Sequence, residues 1–343
     1  MTSLMLSEIH ESPARVEAAL REDHELYTAL GRSLRDRAPV FVVTVARGSS
    51  DHAAAYAAHL FAILCGRVTA TLPPSLITRY GAAPDLSRAV VLAVSQSGAS
   101  PDLVRVMAAA RAAGAMTVAV VNADHTPLAA EVDWVVPQRA GPEHAVAATK
   151  SFVLTLVALT RVATAWAEDT HLAAALTRLP GHLEAALACD WSPGLPVLAR
   201  PRGAGAYVVG RGSGLAIAGE AALKLKETSN LHAEAVSAAE IQHGPRAVVD
   251  RNFPVLAFGL DDPGGADTRS LARELAAAGD PVLLAAAEPT GLEPYLPLPP
   301  PLHPLLDAIP AVLAFYPFAE ALARLRGLNP DHPRGLRKVT ETL

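Results

Sequence analysis

Two short stretches of this chain carry residue types that could do chemistry together. The first is Ser95-Gln-Ser-Gly-Ala-Ser100, which follows the apolar residues 89–94 and precedes Pro101. Ser95, Ser97 and Ser100 offer three hydroxyls and Gln96 an amide, while Gly98 lets the backbone come close to a ligand. Pro101 suits the first position of a helix, whose free amides and dipole would face the same turn and favour a dianion. The guest predicted for this turn is a phosphate monoester. One hydroxyl would do for a helix cap; three around a glycine, directly after a wholly apolar strand, point past that plainer use.

The second stretch is Glu220-Ala-Ala-Leu-Lys-Leu-Lys-Glu227, followed by His243-Gly-Pro245. On a helix Glu220, Lys224 and Glu227 fall at i, i+4 and i+7 and share one side, with Lys226 elsewhere. Such a side is often just a solvated charged face. This helix, however, follows a strand-to-helix turn of the kind where open α/β sheets place their ligands. The Gly-Pro after His243 ends regular structure and leaves the imidazole on a loop. A carboxylate, an ammonium and a group that titrates near neutrality suit proton transfer between adjacent carbons of a sugar phosphate.

Other chemistries lack their signatures. There is no Gly-x-x-x-x-Gly-Lys loop, and Arg47-Gly48-Ser49-Ser50 has one glycine where a dinucleotide fingerprint needs more. No Gly-x-Ser-x-Gly elbow precedes a helix. Neither a cofactor nor a metal is expected.

The elements that must position these residues read as alternating strands and helices. Residues 3–37 have helical spacing, 39–45 form a strand, and an alanine-rich helix runs to Leu64. After the serine turn and its helix, which ends at Gly114, come strands at 116–121 and 133–137 and a helix over 149–166. Proline- and glycine-rich residues 191–205 mark a linker, and the pattern then begins again with a strand at 205–210. Arg47-Gly-Ser and Arg211-Gly-Ser lie 164 positions apart (211 − 47), as do Val91-Leu-Ala and Val255-Leu-Ala (255 − 91). Ala113-Gly114 recurs at Ala278-Gly279, an offset of 165 (278 − 113). These landmarks predict a duplicated unit, each copy a parallel sheet covered by helices on both faces. The expected divisions are a helical segment at 1–36, units at 37–190 and 191–327, and a tail at 328–343. Where the first copy has Ser95-Gln-Ser-Gly98, the second has Gly259-Leu-Asp-Asp262, whose carboxylates would repel a phosphate. Only the first copy should bind one.

Length and composition agree with two ordinary domains: 343 residues, 51% hydrophobic and 18% charged. A net charge of −5 with scattered basic residues argues against nucleic acid as a partner. The two cysteines, Cys65 and Cys189, sit in unrelated contexts and read as small core residues. No signal peptide opens the chain and the alanine-rich helices are interrupted by charge, so a cytoplasmic protein without membrane spans is expected.

Six motifs in order resemble the sugar isomerase (SIS) domain proteins in their tandem form: the serine turn, Val146-Ala-Ala-Thr-Lys-Ser-Phe152, Glu220 to Glu227, His232-Ala-Glu234, Glu240-Ile-Gln-His-Gly-Pro245 and a tail bearing Lys338. They look like the isomerase half of glucosamine-6-phosphate synthase. The Ala46-Arg-Gly-Ser-Ser-Asp-His52 opening and the Lys338-Val-Thr-Glu-Thr-Leu343 ending are similar to the SIS-type glucosamine-6-phosphate deaminases. The resemblance implies two flavodoxin-like three-layer units, no cofactor, and a homodimer. It implies that Ser95, Gln96, Ser97 and Ser100 hold the phosphate, with Ser49, Ala147 and Ala148 near the sugar. By the same resemblance Glu227 is the base acting between C1 and C2. His243, given by the neighbouring subunit, opens the ring; Lys224 polarises a sugar oxygen, Glu220 orients it, and Lys338 closes over the sugar. Two positions depart from the synthase pattern: Arg47 stands where it has a cysteine, and Ala148 where it has a serine.

The chain reaches its first unit within about 40 residues, without the synthase's glutaminase domain, so the expected reaction is the reverse one. Glucosamine 6-phosphate and water would give fructose 6-phosphate and ammonia. A deglycase for amino-acid adducts of fructose 6-phosphate, or a related ketose/aldose isomerase, is the second enzyme reading. A non-catalytic sugar-phosphate sensor is the rival of another class.

Overall fold

A computed structural model describes residues 2–199 and 205–338. Two five-stranded sheets, every pairing parallel, carry the fold. The first contains β1 (Phe41–Val45), β2 (Thr69–Thr71), β3 (Ala89–Ser95), β4 (Met116–Val121) and β5 (Trp134–Pro137), in the order β2-β1-β3-β4-β5. The second contains β6 (Gly205–Gly210), β7 (His232–Ser237), β8 (Val255–Phe258), β9 (Val282–Ala286) and β10 (Tyr295–Pro297). Its order, β7-β6-β8-β9-β10, is the same 2-1-3-4-5 pattern, the flavodoxin-like winding expected from the sequence. The inner strands β3, β4, β8 and β9 are buried along their whole length because helices cover both faces.

The duplication is visible in the backbone. Gly48, ahead of the Ser49–Cys65 helix, has φ 56° and ψ −132°; Gly212, ahead of the Ser213–Ser229 helix, has φ 59° and ψ −130°. Both conformations lie where a side chain is strained. Each helix is 17 residues long and ends on a left-handed cap, Gly66 in one copy and Asn230 in the other.

The chain packs as two units whose membership is not collinear. Ala14–Glu143 and Ser151–Thr177 gather around the first sheet; the residues through Pro13, His144–Lys150 and Arg178–Lys338 gather around the second. One cluster joins Val43, Val91, Ala93 and Ala119 to Val106 and Met107 of the Pro101–Ala112 helix. Its counterpart joins Val209, Ala257 and Leu284 to Leu271 and Leu275 of the Pro263–Ala277 helix.

Several expectations are refined. The N-terminal helical stretch is three helices, Leu4–His10, Ser12–Arg21 and His24–Arg37. The linker contains a 3-10 turn at Ser192–Gly194 and a short helix at Leu195–Leu198, with residues 200–204 outside the described residues. The last five residues of the motif-bearing tail, 339–343, also lie outside them. Cys65 and Cys189 are half-buried free thiols at helix ends and not core residues. Two helices, Lys150–Ala167 and Ala308–Leu325, are long and apolar enough to cross a membrane by length and composition, against the expectation of none; they are 89% and 78% buried, as core helices are.

Candidate active site

The serine turn leaves β3 at its carboxyl end and enters the Pro101–Ala112 helix. Ser95 is buried, and its Oγ accepts the Gly98 amide at 3.1 Å; Ser97 Oγ accepts the Ala99 amide at 3.3 Å. Gly98 is held at φ 59°, and a Cβ there would lie 2.4 Å from Thr126 Oγ1. Only glycine passes that point. Ser100 occupies the cap position of the helix, but its side chain makes no capping bond; Pro101 has no amide hydrogen and the Leu103 amide donates to Asp102 Oδ1 at 2.9 Å. Gln96 has a defined role: its amide nitrogen donates to Glu143 Oε2 at 2.8 Å and to Ser151 Oγ at 3.2 Å. The buried Glu143 also accepts the amide and hydroxyl of Ser151, at 3.0 and 2.6 Å.

Arg47, in the turn after β1, donates Nε and Nη2 to Asp102 Oδ2 at 3.2 and 2.8 Å. The Asp102 side chain is 1% exposed and the arginine 55% exposed, so the pair puts a cation at the surface above a buried carboxylate. Ser49 starts the helix that follows. Glu143, Ser151 and Asp102 were missed by sequence reasoning; the Lys-Ser-Phe motif held Ser151, but nothing in the spacing tied it to Gln96.

The acid-base group stands in the second unit, on the Ser213–Ser229 helix. Gly212 and Asn230 delimit that helix and its alanines let it sit close to β6, β7 and the Ala308–Leu325 helix. The side expected to be charged is sunk in the protein. Glu220 is fully buried and Lys224 nearly so, whereas Glu227 keeps 21% of its side chain exposed. Lys224 Nζ lies 3.4 Å from Glu220 Oε1 and closer still to Glu227 Oε2, to which it donates. Tyr316 donates its hydroxyl to Glu220 Oε1 at 3.2 Å. Burial pulls the lysine pKa down, but the Glu220 and Glu227 carboxylates more than offset it and leave it above its ordinary value. The ammonium is therefore a fixed positive charge at neutral pH, with one carboxylate behind it and one reaching solvent. Lys226, expected to point elsewhere, is exposed.

The segment bearing Ala147 and Ala148 belongs to this second unit and is tied down from several sides. Glu8 accepts the amides of His144 and Ala145, the Val146 amide donates to the Asp331 carbonyl at 3.1 Å, and buried Lys150 pairs with Glu11 at 2.7 Å. Lys338 donates its Nζ to the Ala145 carbonyl at 2.7 Å. The structure thus brings the tail lysine to the alanine segment. His243 ends a 3-10 turn at Glu240–His243 and is exposed; among the described residues it makes no hydrogen bond or ion pair with Glu220, Lys224 or Glu227.

Comparison with known proteins places these features in a family. The SIS domain model matches residues 40–165 and 204–290. A glutamine–fructose-6-phosphate aminotransferase (isomerizing) of Thermus thermophilus is 33% identical over 97% of this chain and 58% of its own length. The chain therefore spans little more than half of that relative. A crystal structure from Silicibacter pomeroyi DSS-3, whose assignment as a phosphosugar isomerase is itself a proposal, is 41% identical; it matches with a TM-score of 0.88 over 96% of this chain and all of its own. A glucosamine-6-phosphate deaminase from Thermotoga maritima shares the fold at 20% identity and a TM-score of 0.76, over 99% of this chain and 100% of that one.

Proposed function

The chain belongs to the SIS domain family, and on that premise we propose that it isomerises and deaminates an amino-sugar phosphate, turning glucosamine 6-phosphate and water into fructose 6-phosphate and ammonia. The observation that carries this reading is the buried Lys224 held between Glu220 and Glu227, with Glu227 alone of the three reaching solvent. In this reading Glu227 removes the proton from C2 of the open-chain sugar and returns it to C1. Water then adds to the resulting C2 imine, the C–N bond breaks, and ammonia leaves. The Lys224 ammonium, which stays charged, stabilises the negative charge that develops on the C1 oxygen. Ser95, Gln96, Ser97 and Ser100 hold the phosphate, and Ser49, Ala147 and Ala148 line the sugar. Glu220 orients Lys224, and Lys338 closes over the substrate. His243 opens the ring from the neighbouring subunit of a homodimer, and the enzyme works in the cytoplasm without a cofactor.

The names of the Thermus relative and the Thermotoga protein support, respectively, an isomerising reaction on fructose 6-phosphate and release of the amine. The test is to incubate purified, folded protein with glucosamine 6-phosphate and assay both products. Ammonia and fructose 6-phosphate in equal amounts are expected. The absence of both would sink the proposal, and sugar interconversion without ammonia would sink its deaminase half.

One observation favours a second reading. The half-exposed Arg47 guanidinium, braced by Asp102, would suit a substrate carrying a carboxylate on its amine, as an amino-acid adduct of fructose 6-phosphate does. A substrate panel separates the two, since only the adduct should lose affinity on Arg47→Met.

A further inference from the structure

Glu8 is a buried carboxylate that the proposed reaction does not use. It sits on the Leu4–His10 helix with 4% of its surface exposed, and an acid that deep is costly unless donors meet it. The donors are consecutive backbone amides: His144 donates to Oε1, and Ala145 to Oε2 at 3.2 Å. Two successive N–H groups turned on one anion make a nest.

The grip spans a whole segment. Residues 138–149 form no helix or strand, so no regular ladder fixes their backbone. Glu11, about one turn after Glu8, holds the far end by pairing with the buried Lys150 at 2.7 Å. Between these anchors the Val146 amide donates to the Asp331 carbonyl at 3.1 Å, and the Ala145 carbonyl accepts Lys338 Nζ at 2.7 Å. The Leu4–His10 helix is itself pinned. Asp331 accepts the Leu4 and Met5 amides at 3.0 and 2.8 Å, and Ser3 Oγ donates to Glu320 Oε1 at 2.7 Å. Met5 and Ile9 bury the apolar side of the helix.

Ala147 and Ala148 follow directly after the tethered amides. Neither has a polar side chain, so at these two positions the chain offers a sugar only main-chain N–H and C=O groups. Recognition there depends wholly on where the backbone stands, and the first helix sets where it stands.

We propose that Glu8 is a positioning residue for substrate selection: its carboxylate fixes the 144–150 backbone so that main-chain groups of Ala147 and Ala148 meet the hydroxyls of the sugar. The inference rests on the reading that this segment lines the sugar while the serine turn holds the phosphate. It assigns a task in specificity to a helix that carries none of the reacting groups.

The test uses the full chain and two ligands, inorganic phosphate and glucitol 6-phosphate, an open-chain analogue that cannot react. Calorimetry gives the preference of each protein for the second over the first. The wild type should prefer glucitol 6-phosphate by tenfold or more. Glu8→Gln turns a donor toward one of the two amides. It should cut that preference about tenfold, as small misplacements far from the reacting atoms do, and speed amide exchange at 144–146. Glu8→Asp, shorter but still an acceptor, should act in the same direction if Glu8→Gln does not fold. Ile9→Val thins the packing of the same helix; it should lower Tm and keep the preference. A preference that survives in the Glu8 variants would overturn the inference alone. So would an equal loss in Ile9→Val, since the helix would then act only through stability. A wild type with no preference would overturn the reading of the sugar segment and this inference with it.

Discussion

Lys224 and Glu220 lie one helical turn apart on the Ser213–Ser229 helix, Nζ to Oε1 3.4 Å, and neither side chain reaches water. Charges this deep are sustained only as a set. Lys224→Met should strand Glu220 and cost about 3–5 kcal/mol in stability, as removal of one partner from a buried pair does. Urea unfolding measures it; a loss below about 1 kcal/mol, the range of a surface pair, would mean that the pair carries little of the local stability.

The same lysine makes a prediction about alkaline pH. Its pKa in the folded protein is raised above the ordinary value of 10.5 that the unfolded chain should show. The folded state therefore holds the proton more tightly. The resulting stability is fully present below that value and is lost as pH rises through the higher folded pKa. The alkaline fall in unfolding free energy should be steeper in the wild type than in Lys224→Met. Parallel curves would contradict the assigned shift.

Under the proposed reaction, Glu227→Gln should lower kcat by about 10² to 10⁴ while leaving KM for the sugar phosphate within a few-fold. Steady-state kinetics with glucosamine 6-phosphate decides it. Unchanged kcat would move the base elsewhere.

The assignment of His243 to the neighbouring subunit can be tested by mixing two dead proteins. Glu227→Gln and His243→Asn subunits, unfolded and refolded together, should regain about a quarter of wild-type activity if the dimer is symmetric and sites are shared. No gain over the separate variants would place the histidine within its own subunit or outside the reaction.

Gly98 sits where the serine turn passes Thr126. Gly98→Ala should raise KM for the phosphorylated substrate and destabilise the protein by about 1–3 kcal/mol, the cost of a strained backbone position. Adding Thr126→Gly should relieve the collision but not the positive φ, so rescue should be partial. Full rescue would show that the backbone conformation costs nothing.

The sequence was most informative where chemistry and local geometry coincide. Residues 89–94 announce a buried strand, and the i, i+4, i+7 spacing of Glu220, Lys224 and Glu227 does put them together. The duplication was legible because its landmarks are turns, and Gly48 and Gly212 share a backbone conformation. What stayed hidden depends on distant partners. The burial of Glu220 involves Tyr316, 96 positions away, and Gln96 is held by Glu143 and Ser151, 47 and 55 positions away. Edge strands escaped too: β2 is only three residues long, and β7 opens with His232 and Glu234 exposed.

The Ala308–Leu325 helix has a bearing on how this protein can be dissected. It flanks the helix that carries Lys224, and it supplies the tyrosine on Glu220. A fragment that stops short of residue 308 would uncover a greasy flank and strip Glu220 of its tyrosine donor. Single-repeat versions made for ligand screening must therefore keep this closing helix, or they will come out of the ribosome as aggregate.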